Sequence, residues 1–143
     1  MASTPKTVIF LGNFANAGSG AQTFTVPGDG FNNSKLGPAN EYCAMDVIFN
    51  VKTLSGTSPT TQPSIQERFS DLGFIETGNY GATFTTAGKY IVAHDGQTGQ
   101  TGTANIKYGY AMLGKGTDKQ IVFTNGGTIG TISVDVYVVL YTT

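Results

Sequence analysis

The 143-residue chain has no tryptophan, a single cysteine, a single histidine and few charges. Each scarcity excludes something. One cysteine, Cys43, rules out any disulfide framework within the chain. Cys43 lies on the apolar side of an alternating stretch, with no histidine or basic residue beside it in sequence, so it reads as a small buried hydrophobe and not a reactive thiol. One histidine and one cysteine are too few for a zinc site. Charged residues make up 12%, with eight Lys and Arg against nine Asp and Glu, so there is no basic excess for nucleic acid and no acidic tail. No run nears the ~20 apolar residues of a membrane-spanning helix. The start, Met1-Ala2-Ser3-Thr4-Pro5-Lys6, is polar and lacks the apolar core of a secretory signal, which leads us to expect a chain made in the cytoplasm that contacts neither membrane nor nucleic acid.

What is present is β-forming. Glycine is plentiful at 20 residues, and β-branched residues, aromatics and turn formers outnumber helix formers. The chain is organised around Tyr42 to Gln66. Cys43, Met45, Val47, Phe49 and Val51 alternate with Tyr42, Ala44, Asp46, Asn50 and Lys52, and only Ile48 breaks the period of two. This is a half-buried strand. The run Ser55-Gly56-Thr57-Ser58-Pro59-Thr60-Thr61 is expected to stop it and turn the chain, with a second extended run through Ser64-Ile65-Gln66.

Before that stretch, Thr7–Leu11 reads as a buried strand closed by Gly12-Asn13. Phe14–Gly20 reads as a loop, Gln22–Val26 as a strand, Pro27-Gly28-Asp29-Gly30 as a turn and Phe31–Asn40 as irregular. After it, Ser64–Gly73 is ambiguous. Ser64-Ile65-Gln66-Glu67 fits a helix capping box, with Ile65, Phe69 and Leu72 on one helical face. The alternative, which we favour, is a strand to Arg68 and a turn over Ser70–Gly73, because a lone helix of about nine residues is marginal. Phe74–Thr77 is a short strand, Gly78–Gly81 a turn, and Ala82–Thr86 is expected to join Lys89–His94 through a hairpin at Ala87-Gly88. Asp95–Gly102 is a polar loop tip. Thr103–Leu113 is a strand with Ala104, Ile106, Tyr108, Tyr110 and Met112 on one face, and Gly114–Asp118 is a turn. Gln120–Thr124 is a strand, and Asn125-Gly126-Gly127 signals a hairpin. In the last strand, Ile132, Val134, Val136, Val138 and Leu140 alternate with Ser133, Asp135, Tyr137, Val139 and Tyr141.

These elements predict an all-β fold: one domain over residues 1–143, a two-sheet antiparallel β-sandwich of jelly-roll type with about eight strands, and residues 1–6 as an extended N-terminal arm. No catalytic residue, cofactor or metal ligand set is expected. His94-Asp95 is the only candidate catalytic pair, and no nucleophile is identifiable for it. Asp29 and Asp95 resemble starts of calcium loops without the ligand series such loops need. Gly28–Gly30 and Gly96–Gly102 lack the Lys-Ser/Thr of a phosphate loop. Tyrosine is more suggestive. Tyr80, Tyr90, Tyr108, Tyr110, Tyr137 and Tyr141 lie on or beside strands, where they serve either as packed rings with wet hydroxyls or as interface residues.

The stretch Val51-Lys52-Thr53-Leu54-Ser55-Gly56-Thr57-Ser58-Pro59-Thr60 followed by Ser64-Ile65-Gln66-Glu67, then Ser70-Asp71 and Phe74, resembles a pattern in small all-β structural proteins of tailed-bacteriophage virions. Gly88-Lys89-Tyr90-Ile91-Val92 and the ending Ile129–Val138 are similar to later strands of that pattern. Phe69 and Leu72, and the repetitive Asp95–Gly102 loop, depart from it. The resemblance implies a non-enzymatic capsid decoration or cement protein, located in the virion and bound to the major capsid protein or another virion protein. It also implies a homo-oligomer, with a trimer as the expected form. The alternative it leaves open is a tail, neck or surface virion protein that binds host-surface glycan. The expected interface residues are Ala2, Ser3, Thr4, Pro5, Lys6, Tyr80, Tyr137 and Tyr141, with the loops Ala15–Gly20 and Asp95–Gly102 as further contact elements.

Overall fold

A computed structural model describes residues 4–24, 44–68, 73–80, 83–92 and 119–142. Within them the chain is all-β and every strand pairing is antiparallel. The strands are β1 (Thr4–Phe14), β2 (Gly20–Phe24), β3 (Ala44–Arg68), β4 (Phe74–Tyr80), β5 (Gly88–Val92) and β6 (Lys119–Thr142).

The frame is a two-stranded ribbon. β3 and β6 pair along almost their whole length, from Ala44 opposite Tyr141 to Glu67 opposite Lys119. Shorter strands flank each end. At one end β1 pairs with β6 and β5 with β3, giving the order β1-β6-β3-β5. At the other end β2 pairs with β6 and β4 with β3, giving β2-β6-β3-β4.

The ribbon is bent back on itself. Phe49 and Pro63 stand fourteen residues apart in β3, and Phe123 is the register partner of Pro63. A straight strand at ~3.3 Å per residue would separate those positions by ~46 Å. The rings of Phe49 and Phe123 nevertheless meet edge to face with centroids 5.6 Å apart. The two ends of the ribbon therefore face each other, and their inner faces make one core. Val47, Phe49, Val51, Val134, Val136 and Val138 come from one end, and Ile65, Ile121 and Phe123 from the other. Phe14 of β1 stacks on Phe123 at 4.0 Å, and Phe24 of β2 meets the same ring edge-on at 6.4 Å.

The bend lies where the sequence led us to expect chain reversal. Ser55–Thr61 does not end a strand, and Asn125-Gly126-Gly127 does not make a hairpin; both lie inside β3 and β6 and oppose each other. The ladder shifts register between Ser55 and Gly56 and again between Thr57 and Thr60, two bulges that kink a ribbon without reversing it. Backbone geometry here requires small residues. Gly56 has φ 139° and Gly127 φ 67°, and a Cβ on either would collide with the carbonyl oxygen of Thr128 or Ser58. Ser58 itself adopts φ 47°. The residues that usually reverse a chain here bend a paired one.

Other expectations are also revised. β3 continues as a strand to Arg68, so the strand alternative holds for Ser64–Arg68 over the capping-box helix. β4 runs through Gly78-Asn79-Tyr80, where a turn was expected, and the extra residues are absorbed by a register shift opposite Ile65 and Gln66. Ala87-Gly88 does not close a hairpin. β5 pairs with β3, while Phe84 makes an isolated bridge to Thr61. Pro63 fits inside a long strand because the N–H it lacks would point away from β6. The neighbouring inward residue Thr61 exchanges both backbone bonds with Phe84, so 61 and 63 are non-hydrogen-bonded positions of the β3–β6 ladder. Cys43, residues 25–41 and the strand expected over Thr103–Leu113 lie outside the described residues.

Candidate functional site: an apolar outer sheet face

The ends of the ribbon differ in what they leave on the outside. On β1, successive side chains alternate between the core and the outer face until the bulge between Phe10 and Gly12. Leu11 and Phe14 go inward. Val8 and Phe10 go outward, 62% and 48% exposed, which is high for large apolar groups. Phe10 lies opposite Tyr137 of β6, and Tyr137 lies opposite Ile48 of β3. The rings of Phe10 and Tyr137 are 5.2 Å apart and tilted at 53°. Val8 lies opposite Val139, which is buried. Val8, Phe10, Tyr137 and Ile48 thus form a contiguous apolar row across three strands of one outer face. Ile48, the residue that breaks the apolar–polar alternation of β3, breaks it here because this face is not a polar one.

Farther along the same face the surface becomes polar and well bonded. Asn13 Nδ2 donates to Asp135 Oδ1 at 2.8 Å and to Ser133 Oγ at 3.0 Å. Lys52 Nζ reaches Asp135 Oδ2 at 3.2 Å. These contacts hold the Asp135 carboxyl below its ordinary range, the Asn13 hydrogen bond contributing most and Lys52 less, against an opposing effect of burial. Ser55 Oγ and Thr131 Oγ1 share a 2.6 Å hydrogen bond next to the bend. A polar rim beside an apolar centre is the usual anatomy of a protein interface.

Among the described residues β1 is the edge strand of this face, and that edge is blunted. β1 carries Pro5 and Lys6 at its start and two register shifts, between Pro5 and Thr7 and between Phe10 and Gly12. Proline, lysine and bulges on an edge strand all work against pairing with another strand. Contact through the face is therefore favoured over contact through the edge.

The expected interface residues are scattered. Tyr137 is on the apolar row, half-buried against Phe10. Thr4, Pro5 and Lys6 are the first three residues of β1, with Thr4 opposite Thr142 and Pro5 opposite Tyr141, so these backbone positions adjoin the same sheet. Tyr80 ends β4, opposite Ser64, at the other end of the ribbon. Ala2 and Ser3 lie outside the described residues, as do His94, Asp95, Tyr108 and Tyr110. Tyr90 has a structural job. Its ring stacks on Phe84 at 4.1 Å and its hydroxyl donates to the Thr86 carbonyl at 2.9 Å. Val8, Phe10 and Ile48 were not singled out from sequence. Val8 and Phe10 sit in the apolar run Thr7–Leu11, which read as a wholly buried strand; only the irregularity of Ile48 hinted at an apolar outer face.

The loop between β1 and β2, residues 15–19, is exposed yet firmly bonded. Asn125 Nδ2 donates to the carbonyls of Asn16 at 2.8 Å and Gly18 at 2.9 Å. Asn16 Oδ1 accepts from the Gly18 amide at 2.9 Å, and Gln22 Nε2 donates to the Ser19 carbonyl at 2.8 Å. Among the described residues no three His, Cys, Asp or Glu side chains cluster to hold a metal ion.

No known protein-family model, curated protein or solved structure matches this chain.

Proposed function

We propose that this chain is a non-enzymatic structural protein of a phage particle, a capsid decoration or cement protein that binds the shell surface and stabilises contacts between capsid subunits. The folded ribbon is then the frame of a two-sheet, jelly-roll-like β-sandwich. The assignment to a phage particle rests on the resemblance of Val51–Thr60, Ser64–Glu67 and Ile129–Val138 to virion proteins. The mode of action rests on one structural observation, the exposed Val8 and Phe10 beside half-buried Tyr137 and Ile48 on one face of three paired strands.

Apolar surface gains ~25 cal/mol per Å² when removed from water, so exposed Val8 and Phe10 leave a favourable term for a partner to realise. A face built on three paired strands loses little conformational freedom on docking, which keeps the cost of association low. Bound across a boundary between shell subunits, such a face adds buried area that must be re-exposed before they separate. The partner is the major capsid protein or another virion protein, and the protein acts as a homo-oligomer, a trimer by resemblance.

Co-sedimentation of the purified protein with shells that lack it, with its mass measured by light scattering, tests this reading. Saturable binding at a fixed copy number per capsomer supports it, and failure to bind any shell overturns it.

A second reading is favoured by the Phe10–Tyr137 ring pair on the outer face, since aromatic rings on a sheet face also suit stacking against sugars. On that reading the chain is a tail, neck or surface protein that recognises host-surface glycan. It predicts binding to a polysaccharide with no shell present.

A further inference from the structure

Thr61 and Asn125 oppose each other across β3 and β6, close to the bend. Thr61 is completely buried and Asn125 nearly so. Both backbone groups of Thr61 are turned toward Phe84, its N–H donating at 3.0 Å and its carbonyl accepting at 2.7 Å. The pair is therefore a non-hydrogen-bonded one in the β3–β6 ladder. In such pairs the Cα atoms are ~4.5 Å apart and the side chains lie closest together.

The Asn125 amide has a fixed orientation. Its Nδ2 donates to two carbonyls, those of Asn16 and Gly18. Turning it over would set Oδ1 against both carbonyl oxygens. Oδ1 is left as a buried acceptor without a donor among the described residues, and Thr61 Oγ1 as a buried hydroxyl without a partner there. Leaving a buried polar atom unsatisfied is costly, and such atoms are rare in folded proteins. Here one donor and one acceptor stand side by side on the same inner face and do not bond each other directly. Ser64 Oγ, also buried without a partner, is three residues from Thr61 in an alternating strand and so lies on the opposite face.

We propose that Thr61 and Asn125 hold one internal water molecule. The Thr61 hydroxyl donates to its oxygen, and the water donates to Asn125 Oδ1. The pair supplies two of the two to four polar partners a buried water requires. The water completes a chain from the interior of β3 through Asn125 to the loop of residues 15–19. It satisfies the one polar atom of Asn125 that the loop carbonyls leave unbonded.

A high-resolution crystal structure tests this directly. The expected result is a fully occupied water within about 2.7–3.2 Å of both Thr61 Oγ1 and Asn125 Oδ1. Thr61→Val, which keeps the shape and removes the hydroxyl, loses that water and speeds hydrogen exchange of the Asn125 side-chain amide, whose Nδ2 holds the loop carbonyls. Thr61→Ser retains the water and the wild-type exchange rate. For a Thr61→Val chain that fails to fold, the wild-type protein gives the answer by NMR, as a cross-peak between a long-lived water and the Asn125 side-chain amide. A direct Thr61–Asn125 hydrogen bond, or a dry gap between the two side chains, overturns the proposal.

Discussion

Phe49 and Phe123 meet edge to face at 5.6 Å although their places on the β3–β6 ribbon lie a whole bend apart. That contact closes the ribbon on itself. Phe123 also carries Phe14 at 4.0 Å and Phe24 at 6.4 Å, so one ring ties together β1, β2, β3 and β6. Phe123→Ala should cost about 3–5 kcal/mol, the range for truncating a buried aromatic. Urea denaturation checks it, and a loss below ~1 kcal/mol would mean that the two ends of the ribbon do not depend on this ring.

The bend makes a sharper demand on glycine. Gly127→Ala should destabilise the protein by more than ~1 kcal/mol, because alanine disfavours a φ of 67° and its Cβ would meet the Ser58 carbonyl oxygen. Gly130→Ala, with its nearest neighbours at 3.5 Å, should be tolerated. Thermal unfolding of the two variants side by side measures the contrast. Equal melting temperatures would contradict the bend geometry.

Asp135 gives the fold an acid sensitivity. Its carboxyl titrates below the ordinary value of 3.8 in the folded protein because Asn13 and Lys52 favour the charged form. A group whose folded value is depressed contributes stability that is fully present well above the unfolded value. That contribution falls away as pH drops through 3.8 and on through the lower folded value. Asp135→Asn should therefore flatten the loss of stability between about pH 5 and pH 2. Denaturation midpoints across that range test it, and an unchanged acid slope would remove Asp135 from the explanation.

Strand content was legible in the sequence because alternation reports burial directly. Val47, Phe49 and Val51, and Val134, Val136 and Val138, are the core that their spacing predicts. The bend was not legible. Ser55–Thr61 and Asn125–Gly127 carry residues that permit positive φ, and that chemistry is shared by a reversing turn and by a bulge in a paired strand. Only the partner strand distinguishes them, and pairing of residues 44–67 with residues 119–141 is a long-range fact. Two pairs of expected strands fused into β3 and β6 for this reason. The candidate face was half legible. Tyr137 was named as an interface residue, whereas Phe10 and Val8 were hidden in an apolar run that gives no sign of which side meets the core.

The same face supplies a prediction about partners. Val8→Ser should leave folding stability within about 0.5 kcal/mol of wild type, since that side chain is 62% exposed, and Phe10→Ser should cost about 0.5–1.5 kcal/mol, since it gives up the ring contact with Tyr137. They should nonetheless weaken binding to a partner shell. Thermal unfolding confirms the first half, and a large drop in melting temperature would show that this face is packed within the protein.

The most direct measurement combines the Val8→Ser, Phe10→Ser double variant with wild type in one titration against shells that lack the protein. The account predicts saturable wild-type binding and at least about tenfold weaker binding by the double variant, or about 1.4 kcal/mol, with both proteins folded at the temperature of the titration. Equal binding by the two proteins would contradict it, by showing that the apolar row of β1, β6 and β3 is not the surface that meets the particle.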